Sequence, residues 1–242
     1  MKPPIVQIIG PGKAGQSFFQ ALSSSGWEMK TPLGRGDNLS NATKGVDLVL
    51  IATPDRAIPD VVRQLPKTKS VIAHIAGSRG LSSLKPHKRI GLIHPLVSLP
   101  NPQMGKERLT NNAWFAINGD PFMQKIVDIL GGTSFNLRDQ DRALYHATAC
   151  IASNHLVVLL EQVRRLADQL NIPFEAFLNL SQGSLDSVSE LNPKEALTGP
   201  AVRKDEETLK AHLESLPVKE LALYKSMLEE AKRLSTQDNH QE

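Results

Sequence analysis

Residues 5–22 read Ile5-Val6-Gln7-Ile8-Ile9-Gly10-Pro11-Gly12-Lys13-Ala14-Gly15-Gln16-Ser17-Phe18-Phe19-Gln20-Ala21-Leu22. The short apolar run Ile5–Ile9 predicts a buried strand that stops at Gly10. After it, Ala14, Phe18, Ala21 and Leu22 recur at the i, i+4, i+7, i+8 spacing of a helix that buries one face. Between strand and helix lies Gly10-Pro11-Gly12-Lys13-Ala14-Gly15, a G-x-G-x-x-G turn in the setting that a dinucleotide fingerprint requires. The first glycine permits the tight turn, the second lets backbone approach a pyrophosphate, and the third lets helix and strand pack closely. Free N–H groups and the positive end of the helix dipole favour the phosphates. The six residues from Gly10 to Gly15 are therefore candidate cofactor-binding positions.

Outward from this turn, apolar runs at 48–52, 71–76, 90–93 and 114–117 read as strands, with weaker ones at 27–31 and 135–137. Helical spacing recurs at Ile58, Val61, Val62 and Leu65 and again over 121–130. Strands separated by helices imply a largely parallel sheet with helices on its faces. From Asp139 the texture changes: 139–170 contains no Gly or Pro and predicts one long helix, apolar nearly all round at 147–160. Such a helix is expected to be buried by other helices or by a partner subunit. Further helices are expected at 173–191, 205–216 and 219–234, and the polar end 235–242 reads as frayed. The expected fold is α/β: a doubly wound, Rossmann-type parallel sheet over 1–138, followed by an all-α domain over 139–242.

The choice of dinucleotide turns on the residue about 20 positions beyond the glycines, where an acid takes the ribose hydroxyls of NAD and Arg favours the 2′-phosphate of NADP. That position is Arg35, with Asp37 as a rival; NADP is expected over NAD. Ala52, Thr53 and Pro54 follow a strand at its carboxyl end, the edge that faces the ligand crevice in such sheets, and are cofactor candidates. His94 also leaves a strand there and can act as a proton donor, or bond a loop carbonyl structurally; His74, inside a strand, reads as a satisfied core group. On the long helix, His146, Cys150, Ser153, Asn154 and Val157 share one face at 100° per residue. That polar stripe needs partners, which a substrate pocket or packing would supply. His146, Ser153 and Asn154 join His94 as catalytic candidates. Asp205 suits a helix cap, whereas Thr198 and Arg203 are candidates for an anionic substrate.

Composition removes several classes. In 242 residues, 40% are hydrophobic and 22% charged, ordinary for a chain with a packed core. No uninterrupted apolar run approaches a membrane span, and no signal peptide is evident, so neither a membrane partner nor export is expected. The single cysteine, Cys150, makes no intrachain disulfide and fits a reducing cytoplasm. The seven histidines show no metal-ligand spacing, so no metal is expected. A net charge of +3, with Lys and Arg scattered among acids, argues against a nucleic-acid partner.

The chain resembles the uncharacterised Rossmann-like proteins that carry a C-terminal helical domain of unknown function, distant relatives of pyrroline-5-carboxylate reductase, ketopantoate reductase and 6-phosphogluconate dehydrogenase. The resemblance rests on 10–15, 52–55, 74–77, His94-Pro95, Tyr145-His146-Ala147, Ala152-Ser153-Asn154, and 196–200 with Arg203, Asp205, Thr208 and His212. It implies an NADP-type Rossmann domain and a homodimer built on the helical part. The sequence departs from the pattern where the usual His-x-Ser-Gly is His74-Ile75-Ala76-Gly77, and where the usual Arg-Gly-Asp is Arg203-Lys204-Asp205. Cys150 stands one turn before Asn154, where the hydroxyacid dehydrogenases carry a lysine, which weighs against their mechanism. The expected function is an NADP-dependent oxidoreductase acting on a small polar substrate. The alternative is a non-catalytic dinucleotide-binding sensor.

Overall fold

The computed structural model describes residues 2–236. Of the polar end expected to fray, 237–242 lie outside the described residues, while Ser235 and Thr236 still belong to the last helix. Two compact units divide at Asn154 and His155. The first is built on strands β1 (Ile5–Ile9), β2 (Glu28–Met29), β3 (Leu48–Ile51), β4 (Val71–His74), β5 (Ile90–Pro95), β6 (Trp114–Gly119) and β7 (Thr133–Asn136). They form one sheet in the order β2-β1-β3-β4-β5-β6-β7. Every pairing is parallel except that of β5 with β6.

Helices α1 (Lys13–Ser24), α2 (Ile58–Gln64), α3 (Pro102–Leu109) and α4 (Phe122–Ile129) belong to this unit. In β3 all four residues are buried, and they divide between two cores: Leu48 and Leu50 pack with Phe18, Phe115 and Ile126, while Val49 and Ile51 pack with Ile58, Val62 and Leu84. This is why the strand reads as a continuous apolar run rather than an alternating one. Helix α3 is absent from the pattern expected above. Its start is a local device: Asn101 Oδ1 accepts from Met104 N–H at 2.9 Å and Pro102 opens the helix. It packs on α1 where a Cβ at Gly105 would lie 2.0 Å from Ser17 Oγ.

The chain leaves β1 toward β2 on one side, then returns to β3 on the other. The carboxyl ends of β1 and β3 therefore form the switch point at which such sheets open a crevice. Gly10 and the Ala52-Thr53 pair sit at these two ends.

The long helix runs as α5 (Arg142–Cys150), a π-helical turn (Ile151–His155) and α6 (Leu156–Leu170). The π-turn shifts the helix face relative to a plain α-helix. Val157, expected on the polar stripe, is 64% exposed. The expectation of burial is also corrected within the single chain: Leu144, Ile151 and Val158 are exposed as well. By length and composition the run Asp139–Leu170 could cross a membrane, and none of its apolar window is buried.

The second unit comprises α6, α7 (Phe174–Glu190), α8 (Pro193–Ala196), α9 (Pro200–Arg203), α10 (Glu206–Ser215) and α11 (Leu221–Thr236). Within it, Arg165 donates to both carboxylate oxygens of buried Glu220, at 2.9 and 2.8 Å, and Gln162 adds a bond at 3.2 Å. The Arg165 guanidinium holds the Glu220 carboxyl below the usual carboxylate range. Asp205 caps α10, accepting from Thr208 N–H at 3.0 Å.

Candidate functional site

At the end of β1, Gly10 adopts φ +102°, and a Cβ there would lie 2.7 Å from the Ala52 carbonyl carbon. A Cβ at Gly15 would lie 2.0 Å from Gly10 O, so α1 can pack this closely only with glycine. Gly12 is different. Nothing lies within 4 Å of where its Cβ would be, and no side chain caps α1 behind it.

A cavity of about 440 Å³ is lined by Gly10, Pro11, Gly12, Arg35, Ala52, Thr53 and Pro54. Lys13, Ala14 and Gly15, also expected to bind cofactor, open helix α1 and do not line it. The structure adds Arg56 to the lining. Asp37 accepts from Gly34 N–H at 2.6 Å, which engages the rival acid in the turn, while Arg35 is exposed. Thr53 Oγ1 is buried with no hydrogen-bond partner. A buried hydroxyl left unpaired costs free energy that a ligand bond would recover. Open space at Gly12, an uncapped helix start, an unpartnered hydroxyl and two arginines suit an anionic dinucleotide.

A second cavity, of about 590 Å³, is lined by His94 from β5, by Tyr145, His146 and Cys150 from α5, and by Ser153 and Asn154 from the π-turn. All four catalytic candidates thus border one space. Thr198 and Arg203 belong to the second unit, where both are exposed. Among the described residues, no group of three or more His, Cys, Asp or Glu could hold a metal ion.

His94 Nδ1 lies 2.6 Å from Tyr145 Oη, with the two rings edge-on at 88°. His94 and His146 ring centroids are 6.2 Å apart. Gly77 permits this approach, since a Cβ there would lie 2.7 Å from His146 Cδ2 and 2.8 Å from His94 Nε2. Cys150 Sγ is 3.7 Å from His146 Nδ1. Burial, with repulsion from His146 as a smaller cause, pushes His94 down to about 4, so its ring is neutral at neutral pH. Burial also pushes Tyr145 up to about 12.

His74 is a fully buried core group, as expected from its place in a strand: its Nδ1 accepts from Ala76 N–H at 3.2 Å, and burial lowers it to about 4. Arg142, 2% exposed, is bonded to Asp139 Oδ1 at 3.0 Å and Leu137 O at 3.3 Å. Its Nη1 has no partner, and its charge disfavours protonation of both His74 and His94. Tyr145 and Arg142 were not among the site residues expected from sequence. Tyr145 entered only as a neighbour of His146, because its partner lies 51 positions away.

Comparison with known proteins bears on this geometry. No curated protein matches the chain in sequence. Among solved structures, the chain is similar to a Bacteroides fragilis protein provisionally called an NADP oxidoreductase (19% identity, 97% of each chain covered, TM-score 0.74). It is also similar to the pyrroline carboxylate reductase of Plasmodium falciparum, solved with NADP bound (12% identity, 98% of this chain and 100% of that one, TM-score 0.65). A third is a reductive aminase from Aspergillus terreus in complex with NADPH4, cyclohexanone and allyl amine (13% identity, 98% and 96% covered, TM-score 0.68). At such identities the likeness shows the fold. Residues 114–231 match the family described as a domain of unknown function, DUF2520. The chain has a Rossmann-type fold, and that match covers just under half of it.

Proposed function

We propose that the protein is an NADP-dependent oxidoreductase that moves a hydride between nicotinamide and a small polar carbonyl, imine or hydroxy substrate. The observation that carries this reading is the switch-point cavity, where Gly12, the uncapped start of α1 and the unpartnered Thr53 hydroxyl meet. Structural neighbours named for NADP or NADPH support it. When bound, the nicotinamide supplies or accepts the hydride.

The residues of the chain bind and orient. Backbone N–H groups at 12–15 receive the pyrophosphate, Thr53 and Pro54 face the ribose side, and Arg35 takes the 2′-phosphate. In the second cavity, Ser153 and Asn154 orient the reacting group, and His94 or His146 handles the proton. Residues 1–138 form the dinucleotide part, and 139–242 supply the substrate-facing helix and the subunit contact. The partner is a second copy of the chain, laid on the exposed apolar residues Leu144, Ile151, Val157 and Val158. A subunit contact fits better than a lipid one, because the same helix turns Tyr145, His146, Ser153 and Asn154 into a cavity.

Thermal shift with NADPH, NADP, NADH and NAD tests the reading. A ligand at about 100 times its Kd stabilises by about 2.7 kcal/mol. The largest shift is expected with NADPH or NADP, and no shift with any of the four sinks the claim. Arg35→Ala should weaken NADPH by about tenfold, the loss of one exposed charge-assisted contact, and NADH far less. Equal losses would contradict the phosphate role.

A further inference from the structure

The pair His94–Tyr145 raises a chemical problem that the reductase reading does not answer. A neutral imidazole that surrenders its only N–H to a developing alkoxide becomes an imidazolate, a costly anion in a half-buried site. His94 is neutral at neutral pH because it is buried, so this difficulty is its own. One of its two nitrogens is already engaged: Nδ1 lies 2.6 Å from the Tyr145 hydroxyl. The other, Nε2, lies over Gly77 on the side where His146 approaches.

The direction of the short bond follows from basicity. Tyr145 keeps its proton, since burial raises it to about 12. An imidazole lone pair is a far better acceptor than a phenol oxygen, and a phenol is the better donor. Tyr145 O–H therefore donates to Nδ1, and the ring carries its own proton on Nε2. His94 lines the second cavity, and its Nε2 edge is set close against Gly77, where an added methyl group would press on it.

We propose that Tyr145 is a positioning residue for the proton transfer: it fixes His94 in the Nε2–H form and passes a proton to Nδ1 as Nε2 gives one to the substrate. This rests on the reductase reading. A bound reduced nicotinamide would supply the hydride to the carbonyl carbon. The Nε2–H bond breaks as an O–H bond forms on the substrate, and the Tyr145 O–H bond breaks as Nδ1–H forms. The ring stays neutral throughout. The negative charge comes to rest on Tyr145 oxygen, which regains a proton from water entering the cavity that it lines. Arg142, buried and with an unpartnered Nη1, offers that phenolate a positive charge, which already favours the ionised form of Tyr145.

Nitrogen NMR of histidine side chains in the full-length protein tests the first half without any substrate, with His94→Gln identifying the resonance. The expected wild-type pattern is a protonated Nε2 and a bare Nδ1, giving way to a mixture of tautomers in Tyr145→Phe. A wild-type Nδ1–H form, or an unchanged pattern in Tyr145→Phe, overturns the proposal. For the second half, reduction of pyruvate as a keto-acid probe should slow about 100-fold in kcat in Tyr145→Phe, with KM and the NADPH thermal shift unchanged. An equal kcat in wild type and variant overturns the relay. Failure of wild type to bind NADPH would instead count against the reductase reading, and the tautomer result would stand apart from it.

Discussion

The chain has two tyrosines, and each meets Nδ1 of a histidine through its hydroxyl. His94 and Tyr145 lie 2.6 Å apart in the first unit, and His212 and Tyr224 lie 2.8 Å apart in the second. Ring geometry is nearly the same, with interplanar angles of 88° and 83°. The surroundings differ. His212–Tyr224 joins α10 to α11, as helix-to-helix packing. His94–Tyr145 joins the end of a strand to α5, borders a cavity, and has a second histidine, a glycine notch and a buried arginine beside it. Burial raises both phenols, and it drives Tyr145 to about 12. A bonded His–Tyr pair is therefore not itself a site. What makes one is the cavity it borders and the charged groups around it.

The comparison can be broken most forcefully with acid. His74 and His94 each fall from an ordinary 6.5 to about 4 in the folded protein, chiefly by burial. Around His94 stand His146, Asp55, Arg142 and His74; around His74 stand Arg142, Asp55 and Asp139. Above 6.5 both rings are neutral folded or unfolded, and pH costs nothing. Below it the unfolded chain takes up protons that the fold refuses, so stability falls until about 4 and then levels. For fully buried His74 the loss is about 3 kcal/mol, and for partly exposed His94 less. Both tryptophans, Trp27 and Trp114, lie in the first unit, so fluorescence-detected unfolding at a series of pH values reads this loss there. His74→Asn, whose Oδ1 can replace Nδ1 as the acceptor for Ala76 N–H, should flatten the curve. A wild-type profile flat between 6.5 and 4 would show that these rings are not held neutral.

Gly77→Ala attacks the notch that only the first pair has. The added methyl would sit 2.7–2.8 Å from the His146 and His94 rings, and both are side chains able to swing aside. The fold should survive with a small loss of stability, while NADPH-dependent turnover falls about 100-fold through misplacement of the donor by about 1 Å. Unaltered turnover would mean that the convergence of the two histidines is incidental.

What could be read in the sequence, and what could not, divides along the same line. The Gly10–Gly15 turn, the buried β3 and the polar stripe from His146 to Asn154 announce themselves through neighbours a few residues away. So the sheet and the glycine turn at the switch point could be read locally, and so could the candidacy of His94, His146, Ser153 and Asn154, which line one cavity. The Tyr145 hydroxyl finds His94 across 51 residues, and the charge of buried Arg142 acts on His74 of β4 and His94 of β5. No periodicity encodes those meetings. The π-turn at Ile151–His155 was hidden for another reason: a stripe laid out at 100° per residue assumes an unbroken α-helix, and the wider turn breaks that spacing before Val157, which is 64% exposed. Helix α3 lacks a strong apolar period, yet Asn101-Pro102 is a local start signal for it.

The smallest effect sharpens the contrast most. Tyr224→Phe removes the hydroxyl that bonds His212, on a partly exposed contact where water can replace it. The cost should be about 1 kcal/mol or less. NADPH binding and turnover should be untouched, since neither His212 nor Tyr224 lines either of the two cavities at the sheet's carboxyl edge. Because the second unit contains no tryptophan, the change should be visible in helical circular dichroism and silent in Trp fluorescence if the units melt independently. An equal shift in both signals would mean that the units unfold as one, and the acid-induced loss at His74 would then register in both signals as well. A fall in turnover matching that of Tyr145→Phe would remove the distinction between the two pairs altogether.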